Sequence, residues 1–190
     1  MYRHSLVALK MIVVVIVVLG LAFPLAITGV AQVVFPAQAN GSLIRVNGAP
    51  VGSALIGQNF TLPKYFWPRP SAAGNGYDPN SSSASNLGPT SKTYIDGIKA
   101  RVASATAENP GLKAGNVPVD MVTASASGLD PDISVDNALA QVLRVASARG
   151  LSAEAVRQLV MAHITPRVLG LIGEPRVNVL ELNLALDAQK

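Results

Sequence analysis

Apolar positions are distributed very unevenly along the chain. Residues 11–35, MIVVVIVVLGLAFPLAITGVAQVVF, carry no charge, and no ionisable side chain falls between Lys10 and Arg45. As a helix, that run is about 37 Å long, enough to cross a hydrocarbon layer of roughly 30 Å with some tilt. The pattern predicts a transmembrane helix over residues 11–35, preceded by residues 1–10 and followed by one folded domain over residues 36–190. Pro24 predicts a kink rather than a break, because neighbouring groups in a membrane helix re-satisfy a freed carbonyl. A cleaved signal peptide is the competing reading, since Ala37-Gln38-Ala39 has the small-x-small form of a cleavage site after a basic start at Arg3 and Lys10. A signal core normally runs about 7 to 15 residues, far shorter than this stretch.

Past the span, AQANGS reads as a short exit from the bilayer, and helical spacing then occurs three times. In KTYIDGIKARVASA, Ile95, Ile98, Val102 and Ala105 share one face, and Asn109-Pro110-Gly111 ends the pattern. Ser134 caps a second helix, with Val135, Leu139, Val142, Leu143 and Ala146 on one face and a stop at Gly150. The third starts at Ser152, with Leu151 and Val156 as a hydrophobic staple, and ends before Thr165-Pro166. Residues 117–127 alternate and predict a strand; so do residues 177–186, where Leu180, Leu182, Leu184 and Leu186 recur at period two. Helix and strand patterns mixed in this way define an α+β domain. Residues 62–89 hold five prolines and Ser81-Ser82-Ser83, and predict a long irregular segment. It opens on Tyr65-Phe66-Trp67, whose simplest role is to fill the core beneath it.

Charge adds a direction. Arg3 and Lys10 flank the span on its short side, so the positive-inside rule leaves the amino terminus in the cytoplasm and sends the domain outward. The absence of cysteine rules out a disulfide framework and a thiolate metal site, so core packing must hold the domain together. No basic run or stripe is present, which argues against a nucleic-acid partner.

The densest candidate chemistry is VTASASGLDPDIS, residues 122–134, with four hydroxyls and two carboxylates. A hydrolase serine needs a base within hydrogen-bond reach and a group to orient that base. Of the two histidines, His4 lies before the span and His163 falls on a helical face as a packing residue. Neither G-x-S-x-G nor S-x-x-K occurs. A serine acting with a lysine, or Asp130 and Asp132 as acid and base, stays open at this level. Those two aspartates lack the frame of a calcium loop. There is no phosphate loop and no D-K-T-G-T motif, so ATP hydrolysis by this chain is not expected.

Seven collinear stretches carry a resemblance: QANGSLI, GSALIGQNF, YFWPRPSA, SNLGPT, VTASASGLDPDIS, QVLRVASARGLS and GEPRVNVLELNLALD. In order and spacing they resemble the KdpC subunit family of potassium-transporting Kdp ATPases. Pro68, Ala84, Asp132 and Leu143 depart from the usual pattern of that family. The resemblance implies a non-catalytic, single-span subunit of the inner (plasma) membrane. Its implied partners are a channel-like potassium-binding subunit, a P-type ATPase subunit and a small helical subunit. It also implies a rise in the ATP affinity of the pump subunit, with no tightly bound cofactor and ATP met only through the pump. Within the matched motifs, Gln58, Tyr65, Phe66, Arg69, Asn86, Gln141, Arg144, Asn178 and Asn183 are interface candidates for docking over the ion entrance. Each polar one has a second reading, satisfying buried backbone groups. The rival class is a membrane-anchored extracytoplasmic hydrolase or sensor using the hydroxyl-rich stretch and Asp130.

Overall fold

The computed structural model describes residues 2–189. It forms two compact units, one ending at Ser53 and the other beginning at Ala54.

The first unit is dominated by one helical rod, Tyr2–Val34, none of whose apolar window is buried within the chain. It comprises α1 (Tyr2–Val15), a π-helical stretch (Ile16–Ala22) and α2 (Phe23–Val34). The π turns have an identifiable cause. Pro24 has no N–H to close the turn before it, and the Phe23 N–H bonds the carbonyl of Val18, five residues back. The expected irregularity at Pro24 therefore takes the form of widened turns. After α3 (Pro36–Ala39) comes an antiparallel hairpin of β1 (Leu43–Val46) and β2 (Ala49–Ser53). Asn47 and Gly48 connect its strands at φ of 51° and 82°, the left-handed pair that a two-residue primed turn requires.

The second unit packs helices against a small antiparallel sheet in the order β3-β5-β4: β3 (Asp132–Ser134), β4 (Ile164–Thr165) and β5 (Arg176–Asn178). The helices are α4 (Lys92–Glu108), α5 (Val119–Val122), α6 (Val135–Arg149), α7 (Ala153–Ala162) and α8 (Val179–Asp187). Ser91, Ser134, Ser152 and Asn178 cap α4, α6, α7 and α8, each side chain accepting a backbone N–H from the first turn. Gly150 ends α6 at φ 67°. The buried core comprises Ile133 and Val177 from the sheet, Val142 and Val145 from α6, Val156 and Val160 from α7, Leu182 and Leu186 from α8, and Phe66.

Two strand expectations are corrected. Residues 117–127 form no continuous strand, because Pro118 starts the single turn of α5 and only Ser125 and Ser127 make isolated bridges. In residues 177–186, strand pairing stops at Asn178 and α8 follows. Asn178 caps α8, with Glu181 at its third position, and the helix is buried on several sides at once, at Val179, Leu180, Leu182, Asn183 and Leu186. In a helix covered on several sides, leucines at period two carry no strand information.

Candidate functional site

The irregular segment of residues 62–89 is fixed by side chains from the helices beneath it. The Phe66 N–H donates to Asn183 Oδ1 at 2.8 Å, and Asn183 Nδ2 donates to the Phe66 carbonyl at 2.9 Å. Gln141 treats Trp67 the same way, accepting from its N–H at 2.7 Å and donating to its carbonyl at 3.1 Å. Arg144 donates to the carbonyls of Pro63 (2.6 Å) and Tyr65 (2.9 Å), to Gln141 Oε1 (2.6 Å) and to Asn109 Oδ1 (3.1 Å). Its guanidinium stacks on the Trp67 ring with Cζ 3.7 Å from the centroid. Burial pulls the Arg144 pKa down to about 10, opposed by the charge of Glu108, and the group stays protonated at neutral pH. Arg149 donates to the Lys64 carbonyl and pairs with Asp187, which also accepts from the Tyr65 hydroxyl.

Beyond Trp67 the segment frames a cleft of about 470 Å³, lined in part by Phe60, Trp67, Arg69, Asn75, Tyr77 and Glu108. Arg69 pairs with Asp130 at 3.3 Å, and its Nε is buried without a hydrogen-bond partner among the described residues. The Tyr77 hydroxyl donates to the carbonyls of Arg69 (3.1 Å) and Asp130 (3.2 Å). Its pKa is pushed well up, first by burial and then by the negative charge of Asp130, against the opposing charge of Arg69. Asp132 pairs with Arg176 at 2.9 Å, yet burial pushes its carboxyl above the ordinary value, with Asp130 adding to the rise.

The hydroxyl-rich stretch acts as a clasp. The Ser125 N–H bonds the Pro70 carbonyl, the Ala72 N–H bonds the Ser125 carbonyl, and the Ser83 N–H bonds the Ala126 carbonyl. Both ends of the loop at residues 71–83 are thereby attached to residues 125–127. Ser125 Oγ accepts from the Ser127 N–H, and Ser127 Oγ accepts from the Leu129 N–H. His163 Nδ1 contacts the Leu159 carbonyl, so neither serine meets an imidazole through these bonds. Among the described residues, no group of three or more metal-ligating side chains converges.

The nine sequence candidates thus separate into two sets. Phe66, Gln141, Arg144, Asn178 and Asn183 are buried, and the bonds of the four polar side chains secure the domain's own backbone. Gln58, Tyr65 and Arg69 are half-buried and Asn86 is exposed. Asn109 was read only as part of a helix stop, and Asn137, Arg149 and Tyr77 were not singled out. Of the last three, Arg149 gave a local signal, a cation in the last turn of a helix.

An apolar helix long enough to cross a membrane, followed by an α+β domain whose buried polar side chains hold its loops in place, is the layout of a membrane-associated domain protein. A family model described as "KdpC: K+-transporting ATPase, c chain" matches residues 5–188, and the chain belongs to that family. Relatives named "Potassium-transporting ATPase KdpC subunit" agree. The one from Rhodospirillum rubrum is 58% identical, covering 88% of this chain and 86% of its own length. The Gemmatimonas aurantiaca relative is 56% identical over 99% of this chain and 94% of its own. The Koribacter versatilis relative is 52% identical over 98% and 95%.

Proposed function

We propose that the chain is the non-catalytic accessory subunit of an ATP-driven potassium-uptake complex. In this reading Tyr2–Val34 anchors it in the inner membrane, with the amino terminus cytoplasmic and the α+β domain outside. Its partners are a channel-like potassium-binding subunit, a P-type pump subunit and a small helical subunit. The observation that carries the reading is a KdpC-family chain whose long apolar helix, Tyr2–Val34, has no cover among the described residues, so lipid or partner helices must supply it.

The domain docks near the ion entrance through the accessible side of the 62–89 segment, where Arg69, Tyr65 and Asn86 remain available. It stabilises the assembly and raises the ATP affinity of the pump subunit. With the domain outside and ATP inside, that effect travels through the membrane helix or the partner subunits as a coupling free energy.

The test is to purify the tagged chain from membranes, identify what accompanies it, and compare Arg69→Ala for copurification and potassium affinity. Loss of either in the variant is expected; unchanged values for both would remove the docking proposal. An impermeant label on sealed right-side-out vesicles should reach the domain.

A further inference from the structure

The loop joining β4 to β5 carries Val168, Leu169, Leu171 and Ile172 at its tip, exposed at 56%, 87%, 83% and 65%. A mobile loop would leave its backbone to water, but this one is internally bonded. The Val168 N–H donates to the Ile172 carbonyl at 2.9 Å and the Ile172 N–H returns to Val168 at 3.0 Å. The N–H groups of Leu171 and Gly170 bond the carbonyls of Val168 and Arg167, each at 3.1 Å. Leu169 sits at φ 53°, a left-handed conformation that a leucine adopts at a cost, and its side chain buries against nothing in the chain. At the base, Arg167 pairs with Glu174 and Arg176 with Asp132, and both arginine side chains are 44% exposed.

We propose that residues 168–172 insert into the leaflet next to the domain, with the Arg167–Glu174 and Arg176–Asp132 ion pairs at the level of the headgroups. The inference rests on the reading of Tyr2–Val34 as a membrane span. Two observations favour lipid over a protein pocket. Four of the five backbone N–H groups of residues 168–172 are bonded within the turn, which lowers the cost of entering a hydrocarbon environment. The tip has no polar or aromatic side chain to give a protein partner specificity, and aliphatic chains alone suffice for lipid. The tether supplies proximity, since residues 35–53 reach at most about 65 Å even when fully extended.

The chain has no cysteine, so Leu169→Cys gives a single labelling site on an exposed position without touching the core. The full-length variant, labelled with a polarity-sensitive dye, is reconstituted without partner subunits into vesicles of phosphatidylethanolamine and phosphatidylglycerol. Iodide is present on both sides, so orientation does not matter. The exposed Ser83→Cys serves as the water-facing control. A blue-shifted emission at 169, quenched by shallow nitroxide lipids and several-fold less by iodide than at 83, is the expected result. Vesicle flotation with a water-exposed label at 169 overturns this inference alone. Protection that appears only after adding the other subunits, without lipid quenching, overturns it in favour of a protein pocket. Failure to float overturns the span reading and this inference together.

Discussion

Asn183 completes both backbone hydrogen bonds of Phe66, a residue 117 positions away in the chain, as a neighbouring strand would. Gln141 does the same for Trp67 across 74 positions. Two amide side chains, one from α8 and one from α6, thus grip consecutive residues of a segment without regular structure. Buried peptide groups have to be paired, and here side chains replace the missing strand. That attachment makes an irregular, proline-rich segment a defined surface.

Replacing Asn183 by Ala leaves the buried N–H and carbonyl of Phe66 without partners and should cost about 3 kcal/mol of stability. Asn183→Asp should cost more, because it keeps the acceptor, loses the donor and buries a charge. Urea unfolding of the detergent-solubilised protein gives the ranking. Trp67 is the only tryptophan and lies in the gripped segment, so its fluorescence reports the event directly. Equal midpoints for the two variants would contradict the two-way bond.

Arg144 has no carboxylate partner within ion-pair distance among the described salt bridges, and its charge is held by carbonyls and amides. Lysine cannot reproduce the planar fork or the stacking on Trp67. Arg144→Lys is therefore expected to lose roughly 2 kcal/mol and Arg144→Ala about 3 kcal/mol or more. Both should shift Trp67 emission to longer wavelength in the native state. A variant that keeps the wild-type spectrum would mean that the ring holds its position without the guanidinium.

Features written locally in the chain were legible. The serine caps at Ser134 and Ser152 and the glycine stop at Gly150 coincide with observed helix ends. Asn47-Gly48 was also a local hairpin signal, but it lay past AQANGS in residues to which no element was assigned. The α8 leucines misled because a helix buried on several sides loses its amphipathic signature. Gln141 and Asn183 were recognisable only as polar residues within the matched stretches, open to docking or to pairing buried backbone groups. Their inward direction was not, since it depends on partners in a distant segment that brings no periodicity of its own.

Gly128 lies where the clasp meets the loop at residues 71–83. A Cβ there would sit 2.0 Å from the Asp78 carbonyl oxygen and 2.9 Å from that of Ser81, both backbone atoms that cannot swing aside. Gly128→Ala should force the loop off residues 125–127 at a cost of about 3 kcal/mol. Limited proteolysis should then cut within residues 71–83 several-fold faster than in the wild type. Gly115→Ala, where an added methyl meets open space, is the matched control and should leave cleavage unchanged.

Asp132 gives a pH dependence opposite to that of an ordinary ion-paired carboxylate. Its folded pKa lies above the usual 3.8 because burial outweighs the attraction of Arg176, and Asp130 adds repulsion. Between the unfolded and folded values, the folded chain holds a proton that the unfolded chain has released. Its contribution to stability is then fully present below the unfolded value and is lost as pH rises through the folded one. Asp132→Asn removes this titration and retains an oxygen to accept from Arg176. The wild-type stability minus that of the variant should therefore fall as pH is raised from about 4 toward neutrality and then level off. Urea midpoints for both proteins across that range give the difference directly. A difference that grows with pH would show that the pairing with Arg176, at 2.9 Å, overcomes the burial of the carboxylate.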